Sequence, residues 1–164
     1  MQLDAFRRAA GGVGQAVPCL VEPLTPVDAA AVHRVAAYRA FVDDDREAAL
    51  AAFRAVRELT PAWRRPTSLA TEDNPLRILF DEAVEKEGPT ATIDAPPGAA
   101  YLLVDGRRKA EHYLDRPALL QVVDPSGAIT WTGLLQRGVS APDWVALGLA
   151  PAPDLALDAA EADP

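Results

Sequence analysis

The chain has 164 residues, 49% of them apolar and 24% charged, with a formal net charge of −8. That length suits one domain or two small modules sharing a core, and the negative balance argues against a general nucleic-acid binder, which needs a concentrated basic face. The single cysteine, Cys19, excludes an intramolecular disulfide and any cysteine-rich zinc site. In "VPCLV" it reads as a small buried hydrophobe.

The opening "MQLDAFRRAAGGVG" shows no apolar stretch behind a basic head, so no signal peptide is visible. No window of about 18 uninterrupted apolar residues provides a membrane span. As numbered the chain reads as cytoplasmic, or as periplasmic or secreted if a leader has been removed. Leu3, Phe6, Ala10 and Val13 share one side of a first helix that Gly11, Gly12 and Gly14 weaken. "VPCLVEPLTP" is then expected as an extended connector.

A second helix starts where Thr25 caps, Pro26 takes the first position and Asp28 completes a capping box. Val32, Val35, Tyr38 and Phe41 or Val42 follow at helical spacing. Asp43, Asp44 and Asp45 turn the chain and favour the start of the next helix; consecutive acids lack the alternating ligands of a calcium loop. In "REAALAAFRAVRELTP" the residues Ala49, Ala52, Phe53, Val56 and Leu59 form an apolar stripe that Pro61 ends. Asn74 and Pro75 open another helix, with the stripe Leu76, Leu79, Phe80 and Ala83, a Glu82–Lys86 pair and an end near Gly88.

The apolar period then becomes strand-like. "AAYLLVDGRR" ends in the hairpin signal Asp105-Gly106, and "ALLQVVD", "PSG" and "AITWTGLL" read as a second hairpin. In the last of these Ile129 and Trp131 alternate with Thr130 and Thr132, which predicts the first two as the buried face. "TATID" adds an earlier strand. Helices first and strands later make an α+β fold: a repeat-like bundle of three to four helices over residues 1–88, a small antiparallel β module over 89–140 and an acidic Ala/Pro-rich tail over 141–164. Trp144, Val145 and Leu147 are expected to dock back before that tail becomes mobile.

"REAALAAFRAVRELTP" resembles the second helix of a tetratricopeptide repeat, with Ala49, Phe53 and Pro61 at the small, aromatic and stop positions. The preceding helix departs from the pattern at His33, Ala36 and Ala37, and no second copy is readable. "APPGAAYLLVDGRR" resembles the opening of a PEGA-type β module of bacterial envelope proteins through Pro97, Gly98, Ala99, Val104, Asp105 and Gly106. The combined order is similar to proteins of myxobacteria-type genomes. These resemblances imply a bacterial scaffold or adaptor, associated with the cell envelope or a secretion assembly, that binds a peptide or partner protein.

No catalytic constellation or cofactor motif is readable. His33 and His112, the latter expected in a loop, lack zinc spacing, and Ser68, Ser126 and Ser140 lack a nucleophile elbow. "GGVG" lacks the lysine of a phosphate loop. Glu82 and Glu85 read as ordinary exposed acids, and "GRRK" at residues 106–109 reads as a solvated loop. "AWRRP" is different, because aromatics beside arginines are enriched where partners bind. The chain is therefore expected to be a non-enzymatic interaction protein, with Tyr38, Phe53, Trp63, Arg64 and Arg65 as partner-binding residues. A small-ligand binder or enzyme with a pocket between helices and sheet is the alternative, with His33, His112 and Glu82 as its polar groups. Homo-oligomerisation through a β edge is the third option.

Overall fold

A computed structural model describes residues 2–63, 71, 73–84 and 87–151 of the chain. The fold is α+β: helices α1 (Gln2–Ala16), α2 (Pro26–Val42), α3 (Arg46–Leu59) and α4 (Pro75–Glu82) precede strands β1 (Thr90–Thr92), β2 (Tyr101–Val104), β3 (Arg107–Arg108), β4 (Glu111–Tyr113), β5 (Ala118–Val123) and β6 (Ile129–Leu135). The local signals produce the expected starts. Thr25 and Asp28 form the full capping box of α2, Asp45 caps α3 through Ala48 N, and Asn74 caps α4 through Leu76 N. The fourth helix is shorter than the stripe suggested, because the chain leaves helical geometry at Ala83. Lys86 lies outside the described residues, and Glu82 pairs with Arg46 of α3.

All strand pairings are antiparallel. Four strands form a sheet in the order β3-β2-β5-β6, while β1 and β4 make a separate pair. Every residue of β5 is buried, which means both faces of the sheet are covered. On one face Leu102, Val104, Leu120, Val122 and Leu135 pack with Ile93 of the β1 segment and with Trp131 and Trp144. The other face meets the helices, where Leu119 joins Val17, Ala29, Ala30 and Leu59 in a shared cluster. The remaining core lies within the helical layer around Phe53, Val56, Leu79 and Phe80.

Double coverage corrects the expected alternation in β6. Thr132 is buried and hydrogen-bonded, whereas Ile129 and Trp131 are half-buried. Gly133 explains where Trp131 goes, since a Cβ there would fall 2.2 Å from the indole that lies over it. Trp144 meets Trp131 edge-on at 5.4 Å and donates from Nε1 to the Asp94 carbonyl at 2.8 Å. So Trp144 docks as expected, while Val145 and Leu147 remain exposed. Residues 152–164 of the expected tail lie outside the described residues.

The connector between α1 and α2 crosses the helix-facing side of the sheet. Gln121 accepts from Leu24 N at 2.9 Å and donates to the Glu22 carbonyl at 3.0 Å, while Thr132 Oγ1 donates to the Leu20 carbonyl at 2.8 Å. These bonds satisfy backbone groups in a stretch that forms no ladder of its own. Its first residues make a 3-10 turn, Val17–Cys19, that sends Val17 inward and leaves Cys19 exposed. Cys19 is therefore not the buried hydrophobe its neighbours suggested. The β2–β3 turn meets the connector's far end, where a Cβ on Gly106 would lie 2.5 Å from the Thr25 backbone.

Candidate functional site

Two of the expected partner-binding residues share a surface. Tyr38 of α2 and Trp63, just beyond α3, are both half-buried on the helical cluster. Between them runs a chain of edge-on aromatic contacts, Tyr38–Phe53 at 5.9 Å, Phe53–Phe80 at 5.3 Å and Phe80–Trp63 at 5.2 Å. Phe53 is 0% exposed at the centre of that chain, so its ring supports the surface from beneath. Arg64 and Arg65 lie outside the described residues.

Two arginines absent from the sequence expectation sit on the aromatic chain. The Arg34 guanidinium lies over Trp63 at 5.0 Å, and that of Arg57 over Phe80 at 4.4 Å. Arg57 is also tied to the Phe80 carbonyl through Nε at 3.0 Å. The spacing Arg34, Tyr38, Phe41 was the available signal, because those positions share one helix face.

That face continues into a cleft of about 440 Å³ between the α2–α3 turn and α4, lined by Phe41, Asp44, Arg46, Pro75, Ile78, Leu79 and Glu82. Its floor is apolar, and Ile78 is 54% exposed. The rim carries the Arg46–Glu82 ion pair and Asp44, which turns the chain at φ 58.

The three polar groups of the alternative reading are held separately. His33 is fully buried on α2, with Nε2 2.7 Å from Asp105 Oδ1. His112 lies in β4 rather than a loop, bonded to the Ser140 carbonyl at 2.9 Å and the Tyr113 carbonyl at 3.1 Å. Glu82 is exposed on α4. A cleft of about 510 Å³ does lie between helices and sheet, over Ala36, Ala48, Ala51, Pro117, Leu134 and Arg137. None of the three lines it. Ser126 bonds Asp124 within its own turn, and Glu85 and Ser68 fall outside the described residues. Among the described residues no group of His, Cys, Asp or Glu is placed to hold a metal ion, and no helix is long and apolar enough to cross a membrane.

No family model matches the chain, and neither do any curated protein or solved structure.

Proposed function

We propose that the protein is a non-enzymatic adaptor or scaffold that holds a peptide or protein segment on its helical face, in a bacterial envelope or secretion assembly. The observation that carries this reading is the open apolar cleft beside the half-buried Tyr38 and Phe41. Helix α2 carries apolar residues around most of its circumference, yet it buries fully only Ala29, Ala30, His33 and Ala37. Apolar surface a helix does not bury at home is a ready contact for a partner. The aromatic-and-arginine composition matches that of interface anchors, and the cleft supplies a pocket for one inserted side chain.

The test is affinity capture from host lysate with mass-spectrometric readout, comparing wild type with Ile78→Glu and with Val21→Glu as a control. Val21 is 73% exposed on the connector, away from the cleft. The expected result is one partner lost with Ile78→Glu and kept with Val21→Glu, both variants having wild-type circular dichroism. Loss of an anchor of this kind costs about 2 kcal/mol of binding. A partner retained at full yield by folded Ile78→Glu places binding elsewhere and overturns the reading.

A further inference from the structure

We propose that the junction of α3, β3 and the β4–β5 turn is a binding site for a phosphate-type oxyanion. Arg54 and Glu58 lie one turn apart on α3, facing Arg107 of β3, Lys109 after it, and Asp115 and Arg116 in the β4–β5 turn. Ion pairs link all six: Arg54 to Asp115 at 3.7 Å, Arg116 to Asp115 at 2.8 Å and to Glu58 at 3.3 Å, and Glu58 to Lys109 at 3.6 Å and Arg107 at 3.9 Å. Among the described residues four cations thus share two carboxylates, in a chain whose formal charge is −8. The local excess among them is opposite in sign to the molecule.

Hydrogen-bonding capacity is unevenly used. Arg116 is only 2% exposed. Its guanidinium donates to both carboxylates and lies 4.0 Å from the Tyr113 ring centroid, so it forms a fixed floor. Arg107 and Lys109 reach the same Glu58 oxygen, Oε1, at distances beyond a hydrogen bond. Arg54 Nε is buried with no acceptor among the described residues. Three cationic side chains, Arg54, Arg107 and Lys109, therefore keep donors that no oxygen among the described residues takes. An oxyanion entering from the side of Arg107, which is 44% exposed, meets Arg107 and Lys109 together. Oxyanions with several acceptor oxygens suit this arrangement of guanidinium and ammonium donors. The site lies on the sheet-facing side of α3, so it stands independently of the cleft beside α4.

The experiment is thermal denaturation and titration calorimetry of the full chain with inorganic phosphate and with a phosphoserine peptide, against chloride at matched ionic strength to remove general screening. Wild type is compared with Arg107→Ser/Lys109→Ser, which leaves the Arg116–Glu58 and Arg116–Asp115 contacts in place, and with Arg8→Ala on the exposed side of α1. The expected result is a melting temperature raised by phosphate beyond chloride, an affinity weakened about tenfold or more in the double variant, and no change with Arg8→Ala. Tighter binding of the peptide than of inorganic phosphate assigns a phosphorylated protein segment, and equal binding assigns the free anion. No rise beyond chloride, or the same rise in the double variant, overturns the proposal.

Discussion

Asp105 adopts left-handed backbone at φ 50, and its Oδ1 receives both Leu119 N at 2.9 Å and the His33 ring at 2.7 Å. Its own N–H donates to the Leu119 carbonyl at 2.7 Å. One residue thus closes the β2–β3 turn, joins β5 and ties the sheet to α2. His33 Nδ1 has no partner among the described residues, so the ring makes a single bond, to Asp105. Asparagine tolerates left-handed backbone and keeps an acceptor oxygen at the same place. Asp105→Asn is therefore expected to cost only about 1 kcal/mol, whereas Asp105→Ala strands two buried donors and adds backbone strain, for roughly 3–5 kcal/mol. Urea midpoints of the two variants decide this; equal losses would mean that the carboxylate does not organise the junction.

Helix α3 buries Ala49, Ala52, Phe53 and Val56 toward α2 and α4, and its other side, with Ala55, Leu59 and Glu58, toward the sheet. Phe53→Ala removes the ring between Tyr38 and Phe80 and is expected to cost roughly 3–5 kcal/mol, against about 1 kcal/mol for the half-exposed Tyr38→Ala. Chemical denaturation of both reads the difference, and a Tyr38→Ala loss as large as that of Phe53→Ala would contradict the packing described. The apolar stripe of α3 was legible because helical period and capping are local: Thr25 to Asp28, Asn74-Pro75 and Asp105-Gly106 each declare themselves within four residues. The sheet-facing side of α3 was less legible, because only Leu59 of it stood in the stripe, and nothing in Ala55 or Glu58 says what covers them. Likewise, alternation in β6 named the wrong residues, since alternation separates core from solvent only where one face is wet, and here Thr132 faces the connector. His33–Asp105, Gln121 with the connector and the Glu58 network join positions far apart in the chain. No spacing rule contains them. Of the proposed surface, Tyr38 and Trp63 were named from composition, while Arg34 and Ile78 gained their places only when the helices came together.

At the scale of the whole molecule, acid exposes how much of the fold depends on ionised carboxylates. Asp28 is held below the usual carboxylate range by the Thr25 hydroxyl and backbone N–H, Asp43 by its hydrogen bond from Arg7, and Glu47 by its bond from Arg137. Asp124 is lowered by the Ser126 hydroxyl and then by the Ala128 N–H within the β5–β6 turn. In each case the folded form holds its proton less tightly than the unfolded chain does. The unfolded chain therefore binds more protons as pH falls below its own carboxylate values of about 4, and stability is lost through the lower folded values. Above that range the contribution is fully present. The four sites divide by mechanism: Asp43 and Glu47 are ion pairs that salt screens, whereas Asp28 and Asp124 bond local hydroxyls and amides that salt leaves in place. The urea midpoint is therefore expected to be level from about pH 5 to about pH 7, and to fall steadily below about pH 4. High salt should shrink that fall without abolishing it, and Asp124→Asn should lower the neutral plateau and flatten the acid limb. A midpoint unchanged down to about pH 3, roughly one unit below the unfolded carboxylate range, would show that these exposed acids hold nothing together. A fall erased completely by salt would remove Asp28 and Asp124 from the account and leave the two ion pairs, which join α1 to the end of α2 and α3 to the residues after β6.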